Sequence, residues 1–268
     1  MLKNKNEILK TLYKTIGKRT DYAIIGLSGG VDSTVAACIC AKALGPENVF
    51  AYGLPYSHED WVKYNKCSES LAEQLKIHYK TIPIEDVLAG YHDVIDLPLR
   101  SQPTANLKTR IRTNLLYLMK DLKAQVTFKK GIVIGTSNLT EMFIGDHVLG
   151  GDALGDVFPL GDLLKSEVYE IAQYFASKGI IKQEHIDPVP SSGLFANVST
   201  ESVIGYNFYD IEDVIHDWFD FLNKPNEKDI NELYNISDIH KYVLDSYFES
   251  RHKFQSSNTI RLRYLIEK

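Results

Sequence analysis

The chain has 268 residues, enough for one large domain or two small ones with a buried core. Its 44% hydrophobic and 24% charged content is that of a soluble globular protein, and a net charge of −5 from 30 basic and 35 acidic residues argues against a nucleic-acid partner. Three cysteines exclude a disulfide framework and fit a reducing compartment. No apolar run reaches the ~18–20 residues of a membrane span, and the polar stretch from Met1 to Glu7 is no signal peptide, so the expected location is the cytoplasm, with no membrane partner.

Glu7 to Lys18 carries Ile8, Leu9, Leu12 and Ile16 at helical spacing and predicts an amphipathic helix. Tyr22 to Leu27 reads as a buried strand. A glycine-rich turn follows, then Val31 to Leu44, apolar almost all round and therefore a buried helix, stopped by Gly45-Pro46. Cys38 and Cys40 lie on different faces of that helix and read as small buried residues, not metal ligands. Val49 to Leu54 is the second strand. A helix bearing Trp61, Tyr64, Cys67, Leu71 and Leu75 comes next, and His78 to Ile84 is the third strand. Ala105 to Asp121 is a helix, Gly131 to Gly135 a fourth strand, and Asp162 to Ser177 a helix with Asp162 as its expected N-cap. From about Ser199 the chain reads mostly helical.

Strands alternating with helices predict an α/β fold, a parallel sheet with helices on both faces, here with a helical C-terminal extension in one domain spanning 1–268. In such sheets ligands gather at the carboxyl ends of the strands. Ser28-Gly29-Gly30-Val31-Asp32-Ser33 sits at one of those ends, between strand and helix. Its two glycines let the backbone turn tightly, and the free N–H groups of a helix start make an anion site. Ser28 and Ser33 add hydroxyl donors. Asp32 would repel a polyphosphate unless a cation lay between them, so it reads as a magnesium ligand. The segment matches neither G-x-x-x-x-G-K-[ST] nor the dinucleotide fingerprint.

Gly26 to Ser33 resembles the pyrophosphate loop of the N-type ATP pyrophosphatases. The ordered segments Asn106–Arg112, Gly135–Glu141, Gly151–Pro159, Gly161–Tyr169, Pro190–Leu194 and His252-Lys253 resemble ammonia-dependent NAD synthetase in particular. The resemblance implies an adenine nucleotide alpha-hydrolase-like fold and a ligase working in two steps. The nicotinate carboxylate of deamido-NAD attacks ATP to give an acyl-adenylate and pyrophosphate, and ammonia then displaces AMP. It further implies a homodimer. A chain of this length leaves no room for a glutaminase domain, so free ammonia is the implied nitrogen donor.

Carried over by position, the resemblance gives ATP binding to Gly26, Ser28, Gly29, Gly30, Asp32, Ser33, Thr136, Lys165 and Ser191. It gives Mg²⁺ to Asp32 and Glu141. Asp152 lies near the reacting carboxylate and ammonia, where a carboxylate can hold ammonium and take its proton. Arg110, Asp152, His252 and Lys253 fall on the acceptor side, and Asp152 and Lys165 are the catalytic candidates. The ordinary alternatives are a surface helix glutamate for Glu141, a solvated lysine for Lys165 and a turn aspartate for Asp152.

The chain departs from the resemblance on the acceptor side. Asp146 and His147 stand where an aromatic pair is usual, and Val198 and Thr200 replace a Gln and an Asp. These changes leave open a different small-molecule acceptor, another carboxylate or a carbonyl-type group. A tRNA-modifying enzyme on the same loop would bring a basic face and paired cysteines, and a non-catalytic regulator would lack Asp32 or Glu141. Neither pattern is present. The loops around Gln102 and Ser199 are of the kind that close over substrate.

Overall fold

The computed structural model describes residues 2, 4–57, 66–96, 98, 101–186, 204–223, 229–253, 259, 260, 262 and 266. Four short strands make one parallel sheet in the order β3-β2-β1-β4: β1 is Tyr22–Gly26, β2 Val49–Gly53, β3 His78–Thr81 and β4 Gly131–Ile134. Ala23 of β1 pairs with Val49 on one side and Ile132 on the other. The chain therefore steps outward from β1 to β2 to β3, then crosses back to the far side of β1. That reversal opens a crevice at the carboxyl ends of β1 and β4, the place where such folds bind ligands.

Side chains alternate between the two faces, as the pleat requires. On one face Ala23, Ile25, Val49, Ala51, Ile132 and Ile134 pack against α1 (Lys5–Arg19), α2 (Val31–Leu44), α3 (Lys66–Leu75) and α7 (Lys165–Ser177). On the other, Tyr22, Ile24 and Val133 meet Leu116, Tyr117 and Met119 of α5 (Gln102–Thr127), while α4 (Glu85–His92) packs Leu88 beside Ile111. A second core is built by α6 (Leu139–Ile144), α8 (Phe208–Asn223), α9 (Asn231–Tyr234) and α10 (Asp238–Ser250). Its rings stack on one another, Phe143 lying 4.5 Å from Tyr247. The expected α/β architecture with a helical C-terminal extension is the one observed.

Several boundaries differ from expectation, each for a local reason. The helix expected from Asp162 begins at Lys165, and Leu164 holds the N-cap position. Asp162 is buried and accepts the Leu262 N–H, so it ties the C-terminal segment down from two positions ahead of the N-cap. The helix expected over Ala105–Asp121 runs from Gln102 to Thr127, started by Ser101, whose hydroxyl accepts the Thr104 N–H at 3.4 Å, and stopped by Phe128 in the left-handed region (φ 55°). The short helices α4 and α6 were not anticipated. Residues 58–65, including Trp61 and Tyr64, lie outside the described residues, and the helix expected there is described from Lys66. Cys38 and Cys40 are buried in α2, as expected.

Candidate active site

The loop joining β1 to α2 is held by its own hydroxyls. The Ser28 N–H donates to Ser33 Oγ at 3.2 Å, the Gly30 N–H to Ser28 Oγ at 3.3 Å, and Ser33 Oγ donates to the Gly30 carbonyl at 3.0 Å. Gly29 sits at φ +87°, a conformation that side chains rarely adopt. The first carbonyl-bonded amide of α2 is Thr34, which donates to the Gly30 carbonyl at 3.1 Å. The N–H groups of Val31, Asp32 and Ser33 precede it and lie at the positive end of a fourteen-residue helix. Ser68 of α3 fixes the loop from beside by donating to the Leu27 carbonyl at 3.1 Å.

A cluster of charge stands over this loop. Lys165, 3% exposed at the first position of α7, places its ammonium between Asp32 of α2 and Glu141 of α6, touching Asp32 Oδ2 directly and Glu141 Oε1 at 3.2 Å. Asn138 joins the same group: its amide donates to Asp32 Oδ1 at 2.9 Å, and its carbonyl oxygen accepts the Glu141 N–H at 3.0 Å as an N-cap. Burial raises the Glu141 carboxyl to about 7. Lys165 pulls it down, but Asp32 and Asp146 push it up again. For Lys165, burial works against the charge, and the carboxylates Glu141 and Asp32 outweigh it, so the ammonium is held well above its ordinary value. Two carboxylates share one cation here, and the centre is short of positive charge.

The next turn carries residues expected on the acceptor side. Gly145 ends α6 at φ +71°, and a side chain there would run into Ser250 of α10. Lys253 clamps the same turn by donating to the carbonyls of Gly145 at 3.0 Å and His147 at 3.2 Å. Asp152 accepts the Val148 N–H at 2.6 Å, and Arg110 donates from Nε to the Leu149 carbonyl at 3.1 Å. Asp152 keeps an exposed edge, yet the protein around its carboxyl raises it to about 6, against the Val148 N–H and with help from Asp146. Burial also raises Asp146, against Lys165 and Lys253, and lowers His147 to about 4, so His147 is neutral at pH 7.

Asp32, Glu141 and Lys165 are thus brought together at the loop Ser28–Ser33, while Thr136 lies two residues past β4 and Gly26 ends β1. Lys165 is no solvated surface lysine and Glu141 no exposed helix glutamate. Arg110 and Arg112 point apart, Arg112 donating to the Leu54 carbonyl at 2.8 Å. His252 is exposed and, among the described residues, bonds to the Glu249 carbonyl, 2.9 Å away, and Lys253 is engaged by backbone. Ser191, Val198 and Thr200 lie outside the described residues. Asn138, Thr140 and Glu212, which support the centre, were not singled out from sequence. Asn138 carried a signal, an N-cap Asn three residues before Glu141.

A protein-family model described as NAD synthase matches residues 3–257. The NH(3)-dependent NAD(+) synthetase of Thermococcus kodakarensis is 31% identical over 230 residues, covering 86% of this chain and 85% of that relative. That of Methanocaldococcus jannaschii is 31% identical over 256 residues, covering 92% and 93%. The solved structure of NMN synthetase from Francisella tularensis matches with a TM-score of 0.73 at 26% identity, covering 93% of this chain and 95% of that one. The NH3-dependent NAD synthetase from Campylobacter jejuni matches at 0.71 and 23% identity over the same shares, a likeness of fold.

Proposed function

This chain belongs to the NAD synthase family, and we propose that it forms the amide of NAD from deamido-NAD, ammonia and ATP, releasing AMP and pyrophosphate. The observation that carries this reading is the meeting of Asp32, Lys165 and Glu141 above a glycine-rich helix start at the sheet's switch point. Such a place suits a triphosphate: backbone N–H groups of Val31, Asp32 and Ser33 receive phosphate oxygens and Lys165 supplies positive charge.

The residues also fit a magnesium ion. Asp32 and Glu141 are hard oxygen donors already facing one cation, and a carboxyl near 7 titrates into the carboxylate when more positive charge arrives. No group of three or more His, Cys, Asp or Glu side chains gathers among the described residues, so phosphate oxygens and water would complete the shell. Bound there, the ion would neutralise phosphate charge. With the carboxylates so occupied, Lys165 would be free to face the phosphates.

Chemistry proceeds in two balanced steps. A carboxylate oxygen of the acceptor bonds to the α-phosphorus as the bond from that phosphorus to the β-phosphate oxygen breaks, giving the mixed anhydride and pyrophosphate. Ammonia then attacks the acyl carbon. Its nitrogen gives up a proton to Asp152, and the carbon–oxygen bond to AMP breaks. The turn 145–152, clamped by Lys253 and Arg110, sets the position of Asp152 for that transfer. Ammonia is the nitrogen donor in this reading, the three unpaired cysteines fit work in the reducing cytoplasm, and a second copy of the chain completes a homodimer.

The test is to supply ATP, Mg²⁺, ammonium and deamido-NAD and to measure NAD, AMP and pyrophosphate together. Equimolar formation of all three is expected, with loss of at least about a hundredfold in Asp32→Ala. Because one similar structure is that of an NMN synthetase, nicotinate mononucleotide is the second acceptor to try. Amidation of that acceptor alone would move the reading to the mononucleotide. Hydrolysis of ATP to ADP, or no pyrophosphate, would refute it.

A further inference from the structure

Glu212 is 4% exposed, carries a carboxylate, and no step above uses it. It belongs to α8, in the C-terminal helical unit, yet it bonds to both elements that deliver the charged centre. Its Oε1 accepts the Thr140 hydroxyl at 2.9 Å and the Ser166 N–H at 3.0 Å. The Thr140 oxygen in turn accepts the Lys165 N–H at 3.0 Å. Thr140 immediately precedes Glu141 on α6, and Lys165 and Ser166 open α7. One buried carboxylate therefore locks together the two helix starts whose side chains meet at 3.2 Å in the centre.

Nothing in the packing of α8 requires a carboxylate there. Ile211, Val214, Ile215 and Trp218 already bury the helix against Leu139, Phe143 and Leu164. A buried carboxylate is costly unless fully bonded, and this one is answered by two donors and by the positive end of α7. One turn earlier on α8, the Phe208 ring lies 5.6 Å from Lys165 Nζ. We propose that Glu212 is a positioning residue of the ATP site, which fixes Lys165 and Glu141 relative to each other through Thr140 and makes that site depend on the docked C-terminal helices. This rests on the ATP-using function proposed above.

Glu212→Ala, Glu212→Gln and Thr140→Val separate positioning from packing. ATP affinity is read by calorimetry in excess Mg²⁺ without acceptor, with kcat, both KM values and the melting temperature alongside. Glu212→Ala is expected to weaken ATP binding about tenfold and to lower kcat about a hundredfold, the scale of an ångström misplacement, while the acceptor KM moves less than about threefold. Glu212→Gln keeps an acceptor oxygen in place and is expected to recover most of both losses. Thr140→Val added to Glu212→Ala should cost less than the sum of the two single effects, because both break one relay. If Glu212→Ala does not fold, Thr140→Val alone is expected to weaken ATP binding about fivefold. Folded variants with wild-type ATP affinity and kcat, or a glutamine variant as impaired as the alanine one, would overturn the proposal. A wild-type protein that binds no ATP would sink this proposal and the function together, whereas unchanged variants of an ATP-binding wild type would sink the positioning role alone.

Discussion

Lys165 is the residue on which the site turns. Its ammonium is almost wholly buried and balances two carboxylates whose side chains are themselves mostly enclosed, at 17% and 20% exposed. Removing one partner of such a group leaves like charges facing each other. Lys165→Met is therefore expected to lower unfolding free energy by about 3 kcal/mol in magnesium-free buffer, measured by denaturant titration, and Mg²⁺ should restore part of it. Glu141 gives the pH dependence. Its folded carboxyl is raised from 4.5 to about 7, so its proton stabilises the fold below pH 4.5 and that contribution is lost as pH rises to about 7. A Glu141→Gln variant, compared with wild type without Mg²⁺, should gain relative stability across that window. An unchanged difference between pH 4.5 and 7 would contradict the assignment. Asp32 and the loop from Ser28 to Ser33 were legible in the sequence because their chemistry is local to one strand–turn–helix. Glu141 and Lys165 were legible only by resemblance, since 109 and 133 positions of sequence separate them from Asp32. Glu212 was not legible at all: an acidic residue on an amphipathic helix shows its role only once α8 is docked.

At the scale of elements, helix starts do most of the positioning. At the start of α7 the N–H groups of Leu164, Lys165 and Ser166 go to side chains, Leu164 to Glu167 at 2.7 Å, Lys165 to Thr140 and Ser166 to Glu212, so the lysine side chain is what this end offers an anion. The same saturation explains why Asp162 was misread as a cap: the apolar stripe located the helix, but tertiary partners decided where it began. The helix α6 was too short for its period to show. Its end is set by Gly145, where a Cβ would lie 2.1 Å from that of Ser250 at a positive φ. Gly145→Ala is expected to cost at least about 2 kcal/mol and to shift the turn carrying Asp146 and Asp152, raising the acceptor KM more than that for ATP. Unfolding curves and separate substrate titrations check both parts.

For the whole molecule, the sheet and its two covered faces followed from periodicity alone, while the crevice between β1 and β4 needed the strand order. One surface is unexplained by the single chain. On α5, Leu118, Leu122 and Val126 recur every four residues at 46%, 47% and 78% exposed, with Phe128 beyond them at 94%. A stripe of that kind suits the homodimer proposed here. Val126→Asp with Leu122→Asp is expected to halve the mass seen by light scattering and leave helicity unchanged. Wild type running as a monomer at micromolar concentration would refute the dimer. Above these stands the claim that the carboxylate is adenylated, and oxygen labelling addresses it most directly. Acceptor carrying ¹⁸O in its carboxylate is turned over with ATP and ammonium, and the AMP is analysed by mass spectrometry. The account predicts one ¹⁸O transferred to the phosphate of AMP for each amide formed. AMP without label, or label appearing in inorganic phosphate, would show that the carboxylate never attacked the α-phosphorus.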